Sequence, residues 1–159
     1  MNKLPTVIYS TEIKPKWLDY NNHMNVAYYV LVFDLAFEKL LLSLGLGEEG
    51  AKTTGISTMA LESHITYNQE VSLGQDVEIR MQLVDYDHKR MHLYLEMYVN
   101  GGGGYLASTL EQISMCVDLD ERRSASFPDE VMAKIQTLSQ QQSHLERPGN
   151  IGRKIGIRK

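Results

Sequence analysis

The sequence predicts an α+β fold in which a five-stranded antiparallel sheet wraps around one long central helix, with a short helix towards the carboxyl end. Two patterns carry this expectation. Val26, Val30, Phe33, Phe37, Leu40 and Leu44 recur at three- and four-residue intervals between Asn25, a good N-cap, and Gly45, a good helix terminator. Later, Val77, Ile79, Met81 and Leu83 alternate with polar residues, as do Met91, Leu93, Leu95, Met97 and Val99. A period of two marks antiparallel strands with one buried face.

Taken in order, residues 6–14 mix β-branched and polar side chains before Pro15 and suit a half-buried first strand. The polar cluster Asp19, Asn21, Asn22 and His23 then reads as a turn, since asparagine tolerates left-handed backbone. Within the helix at 25–44, Ala27, Leu31, Leu35, Ala36 and Leu41 spread apolar surface beyond one face, so a sheet should wrap it. A flexible connection at 45–52 leads to a strand at 56–67, with Met59, Leu61, Ile65 and Tyr67 in step on one side. Gly101 to Gly104 reads as a turn into a long return strand at 105–119, and Pro128 opens a helix through 138. The four strands after the long helix are expected to pair as a meander. This arrangement is the hotdog fold. It gives one domain at 1–140 and a tail at 141–159 without a core pattern. Its edge strands and apolar rims call for a second copy, so a homodimer is expected, or a homotetramer as a dimer of dimers.

Composition excludes several classes. A net charge of −4, from 16 basic and 20 acidic residues, provides no broad basic field for nucleic acid. The basic run at 153–159 reads as a solvated terminus. A single cysteine, Cys116, allows neither an intrachain disulfide nor a multi-cysteine zinc site and suits a reducing compartment. The amino terminus, with Lys3 and Pro5, lacks an apolar signal-like stretch, and no apolar run approaches the roughly 20 residues of a membrane span. The expectation is a soluble cytoplasmic protein with no membrane partner. His88 and His92 are spaced for metal on a helix, but they fall where a turn and strand are expected, so no metal or other cofactor is implied.

Asp19, Asn22, His23, Met24, Asn25 and Tyr28 together resemble the motif of thioesterases related to 4-hydroxybenzoyl-CoA thioesterase. Asn22 stands where that family usually has glycine. The resemblance continues through Ile65-Thr66-Tyr67 with Val71 and Gly74, and through Gln112 to Asp118. A finer likeness is to the betainyl-CoA thioesterases of carnitine degradation. It is carried by Trp17-Leu18-Asp19-Tyr20-Asn21, His23 to Leu31, Asp85-Tyr86-Asp87 with Lys89-Arg90, and Arg122-Arg123-Ser124-Ala125.

The resemblance implies an acyl-CoA thioesterase with Asp19 as the catalytic carboxylate, acting as general base on water or as nucleophile forming a mixed anhydride. Backbone amides from His23 to Val26, at the start of the helix, would hold the oxyanion. His23 either holds the turn or carries a proton, while Asn22, Met24 and Asn25 shape it. Asp34 and Glu38, one helical turn apart, are competing carboxylates, and Glu62 and His64 share a strand face. Lys89 and Arg90 are candidates for the CoA phosphates. A trimethylammonium acyl group would need aromatic faces, for which Trp17, Tyr28 and Tyr29 are candidates, with Glu62 to offset its charge. The alternatives are a thioesterase for uncharged short- to medium-chain acyl-CoA and a non-catalytic acyl-CoA-binding module.

Overall fold

A computed structural model of the chain describes residues 4–159, so Lys3 and the other two residues that open the 1–140 unit lie outside it. Asn25 starts helix α1 (Val26–Leu44) by accepting the Ala27 amide on its side-chain oxygen at 3.0 Å, and Gly45 ends it at φ +83°. Val32, Phe33, Ala36, Phe37 and Leu40 turn inward and join Ile79, Met81, Leu93, Leu95 and Met97 in one core. Those sheet residues come from β3 (Asp76–Tyr86) and β4 (Arg90–Val99), whose alternation buries one face against the helix. The remaining elements are β1 (Thr6–Glu12), α2 (Glu48–Thr54), β2 (Ile56–Tyr67), β5 (Tyr105–Asp118), the two-residue β6 (Arg123–Ser124) and α3 (Asp129–Gln141). Between β4 and β5 the chain folds back so tightly that a Cβ on Gly104 would stand 1.6 Å from the Val99 carbonyl oxygen. None of the described helices is long and apolar enough to cross a membrane.

The strand order is β1-β3-β4-β5-β2, antiparallel throughout, with β6 added to β5. The expected four-strand meander therefore holds only for β3, β4 and β5. β2 pairs with β5 at the far edge, and residues 68–75 cross the end of the sheet to reach β3. Sequence alternation reports which face a residue takes but not which strand lies beside it. The connection at 45–52 also contains helix α2, which has no buried residue and hence no apolar period to announce it.

β2 departs from the expected alternation as well. Its register shifts between Ala60 and Glu62, so Met59 and Leu61 do not share a core face with Ile65, and each is 53% exposed. Beyond α3, Gln142 is buried and stands in for a strand residue at the edge of β3. Its amide oxygen accepts the Leu83 N–H at 2.7 Å, while its nitrogen donates to the Met81 carbonyl at 2.8 Å and to Thr6 at 3.1 Å. Farther on, the Gly152 amide donates to Glu111 at 2.9 Å, so the segment after α3 runs over the outer sheet face.

Replacing Gln142 by Leu would orphan one buried donor and one buried acceptor. Chemical denaturation is expected to show a loss of about 2–4 kcal/mol. An unchanged midpoint would show that the ladder closes without it.

Candidate active site

The segment between the turn at Pro15–Trp17 and α1 folds into a small closed loop. Leu18 and Met24 bridge in antiparallel fashion, the Asp19 amide donates to the His23 carbonyl at 2.9 Å, and the Asn22 amide donates to the Asp19 carbonyl at 3.1 Å. Closing so few residues needs one left-handed position. Asn22 supplies it at φ +60°, which explains how asparagine occupies a position that is glycine in similar motifs. The half-buried Asp19 turns its carboxylate into the loop, where Oδ1 accepts the amides of Asn21 at 2.8 Å and His23 at 3.4 Å. Oδ2 has no partner among the described residues. The loop thus leaves one carboxylate oxygen uncommitted.

Of the amides from His23 to Val26, three are already engaged. His23 donates to Asp19, Met24 to the Val71 carbonyl at 2.7 Å, and Asn25 to the Trp17 carbonyl at 2.9 Å. Ala27 is held by the Asn25 cap and Tyr28 by the Asn25 carbonyl. Val26, at the first position of α1 and 58% exposed, has an N–H without a partner among the described residues. Unpaired first-turn amides and the positive helix end favour developing negative charge at this point. Of the four amides expected to hold an oxyanion, only that of Val26 is uncommitted among the described residues.

The crossing segment 68–75 forms the other wall. His23 bridges Ser72, and its Nδ1 lies 3.4 Å from the Glu70 carboxylate. The Tyr105 hydroxyl donates to the Glu70 carbonyl at 2.8 Å and the Tyr29 hydroxyl to the Gln69 carbonyl at 3.4 Å. Tyr29 meets Tyr67 edge to face with centroids 5.2 Å apart. Burial pushes the Tyr29 phenol above its ordinary value, and Tyr105, Glu70 and Tyr67 act in the same direction. Glu70 and Tyr105 were not proposed as site residues from the sequence, and Tyr67 was read only as a strand residue within the family resemblance. The available signal was Glu70 next to Val71, a residue that carries part of the family resemblance.

Other residues lie elsewhere or serve packing. Trp17 is 2% exposed, stacked on Tyr28 at 6.2 Å, and has the Lys14 ammonium 5.2 Å from its ring centroid. Its indole N–H is buried without an acceptor among the described residues. Glu38 accepts the Glu48 amide at 3.0 Å and so fastens α2, while Asp34 is exposed on α1. Lys89, Arg90 and Glu62 do not join the Asp19 loop within one chain. Arg90 starts β4 at the end of the sheet opposite Val99, nine residues or roughly 30 Å along the strand. There its guanidinium grips Asp87, and with the Lys89 amide holds that carboxyl at about 2. Glu62 and Arg90 instead share an outer-face cleft of about 410 Å³ with Asp85, Tyr86 and His92.

The model of the thioesterase-like superfamily matches residues 13–135, from the end of β1 through most of α3 and including the whole Asp19 loop. The chain belongs to this family. A betainyl-CoA thioesterase of Pseudomonas aeruginosa is 39% identical over 149 residues, covering 94% of this chain and 93% of its own length. An L-carnitine dehydrogenase/betainyl-CoA thioesterase of Rhizobium meliloti is 31% identical over 152 residues, which are 96% of this chain but 30% of that longer protein. Among solved structures, a hypothetical protein of Staphylococcus aureus in complex with CoA superposes with TM-score 0.90 at 30% identity, over 99% of both chains. The family membership and this superposition agree with the hotdog architecture described above.

The left-handed residue in the loop yields a direct test. Asn22→Gly is expected to keep wild-type stability, whereas Asn22→Val should lose about 1–2 kcal/mol because a β-branched residue resists positive φ. Equal thermal midpoints for Asn22→Val and wild type would contradict the loop geometry.

Proposed function

We propose that this thioester hydrolase converts betainyl-CoA to betaine and CoA. The observation that carries the chemistry is that the loop leaves two groups without a partner among the described residues, Asp19 Oδ2 and the Val26 N–H at the start of α1. A thioester carbonyl placed between them would lean its oxygen towards Val26 while its carbon faces the carboxylate or a water next to it. In the general-base route, water adds to the carbonyl carbon as its proton passes to Asp19. The C–S bond then breaks, and the proton is returned to the CoA thiolate. In the nucleophilic route, Oδ2 adds to the carbonyl carbon, and the C–S bond breaks to expel CoA thiolate and leave a mixed anhydride. Water then hydrolyses that anhydride to free the acid and restore Asp19, its proton passing to the thiolate. His23, its amide on Asp19 and its ring beside Glu70, positions the loop for either route. The choice of acyl group is supported by the similarity to betainyl-CoA thioesterases and by the tyrosines at the loop wall.

The same reading includes a homodimer in the cytoplasm. The buried free thiol of Cys116 fits a reducing compartment. Among the described residues β2 is paired along one edge only, Met59 and Leu61 on it are exposed, and α1 carries exposed Val26 and Val30. Antiparallel pairing of two β2 edges about their middles would bring the Tyr67 end of one strand to the Ile56 end of the other. Lys89 bonds Cys116, which pairs with Thr58 near that Ile56 end. Each Asp19 loop would then face the partner's Lys89 and Arg90, the cations expected to meet the CoA phosphates.

Purified protein should release free thiol from betainyl-CoA faster than from uncharged short- and medium-chain acyl-CoA. Asp19→Asn should slow release at least about a hundredfold. Tight acyl-CoA binding without thiol release would favour the binding module, and a preference for uncharged chains would favour the other thioesterase reading. Full activity of Asp19→Asn would overturn the mechanism. Analytical ultracentrifugation is expected to give a dimer that Leu61→Glu weakens; a fully active monomer would contradict the shared site.

A further inference from the structure

We propose that Glu70 is a specificity-determining residue, the counter-ion for a quaternary ammonium carried by the acyl group. This deepens the betainyl-CoA reading and rests on it. In betainyl-CoA a single methylene separates the cation from the carbonyl, so the nitrogen and the carbonyl carbon are only about 2.5 Å apart. Groups that recognise the cation must therefore adjoin the groups that act on the carbonyl. A trimethylammonium has no N–H to donate, so it is recognised by a carboxylate and by aromatic faces.

Glu70 meets both conditions. It directly precedes Val71, whose carbonyl holds the catalytic loop through Met24 at 2.7 Å, and its carboxylate lies 3.4 Å from the ring of His23. His23 in turn places its amide on the Asp19 carboxylate. Tyr105 pins the Glu70 backbone at 2.8 Å, so the carboxylate projects from a fixed point. Beside it, Tyr29 and Tyr67 meet edge to face, and Tyr67 is 47% exposed, leaving an aromatic surface open on the same wall. The Glu70 side chain is 67% exposed, and no Lys or Arg among the described residues neutralises it. Its negative charge is thus available to a ligand.

Glu62, the carboxylate expected from sequence to offset the cation, lies five residues, or about 17 Å, down β2 from Tyr67 in the same chain. Trp17, expected as an aromatic wall, already carries the Lys14 ammonium on its ring. The structure therefore assigns cation recognition to the 67–70 wall rather than to the loop's tryptophan.

The test compares betainyl-CoA with 3,3-dimethylbutyryl-CoA, a neutral isostere in which carbon replaces the quaternary nitrogen. In Glu70→Gln the ratio of kcat/KM for the cationic over the neutral substrate is expected to fall roughly tenfold to a hundredfold. Glu70→Asp should restore part of that ratio. Any factor imposed on both substrates by the loss of the His23 partner cancels in the ratio. A ratio unchanged in Glu70→Gln, with wild type preferring betainyl-CoA, overturns this assignment and leaves the substrate reading intact. A wild type that hydrolyses both substrates equally overturns both.

Discussion

The site depends on one joint, the 2.7 Å hydrogen bond from the Met24 amide to the Val71 carbonyl. On one side of it lies the closed loop that carries Asp19 and runs directly into α1. On the other lies segment 68–75, which crosses the end of the sheet and carries Glu70. Neither segment has a regular ladder of its own, and a loop this short has little surface with which to hold itself in place. Fastening the two together turns two irregular connections into opposite walls of one site. The joint sits on a firm base, because Met24 and Val71 are both buried in the core that α1 shares with the sheet.

Much of this was legible in the sequence because burial imposes a period. The long helix was placed to its caps, as the apolar repeat and the choices of Asn25 and Gly45 point to the same ends. β3 and β4 were placed because apolar residues alternate on the face of each that joins the core, although Arg80 and Gln82 on the other face of β3 are buried as well. Failures occurred where no period exists. α2 buries nothing, β2 changes phase at a bulge, and Gln142 acts through a single amide in a segment that otherwise looks solvated. The order of the strands was not legible either, since a crossing connection and a hairpin can have the same composition.

The site shows the same division. Asp19 and the turn residues could be picked out because they resemble a family motif, and Asn22 in the left-handed slot shows how the loop's geometry restricts residue type. The residues across the joint are fixed by the topology that brings segment 68–75 over the sheet end, so their roles emerge only after the sheet is assembled. Glu70, Tyr67 and Tyr105 belong to this second group. The proposed oxyanion donor illustrates a third kind of sharpening. The sequence indicated a run of helix-start amides, and the hydrogen-bond pattern removes all but Val26 from that run.

The account is that substrate is gripped between the Asp19 loop and the first turn of α1, with its cationic head against the crossing segment. The most direct measurement is a crystal structure with a betainyl-CoA analogue in which a methylene replaces the thioester sulfur. It should place the carbonyl oxygen within about 3.2 Å of the Val26 nitrogen, the carbonyl carbon facing Asp19 Oδ2, and the trimethylammonium against Glu70 and Tyr67. An acyl group seated instead in the outer-face cleft between Glu62 and His92, with the Asp19 loop uncontacted, would contradict it.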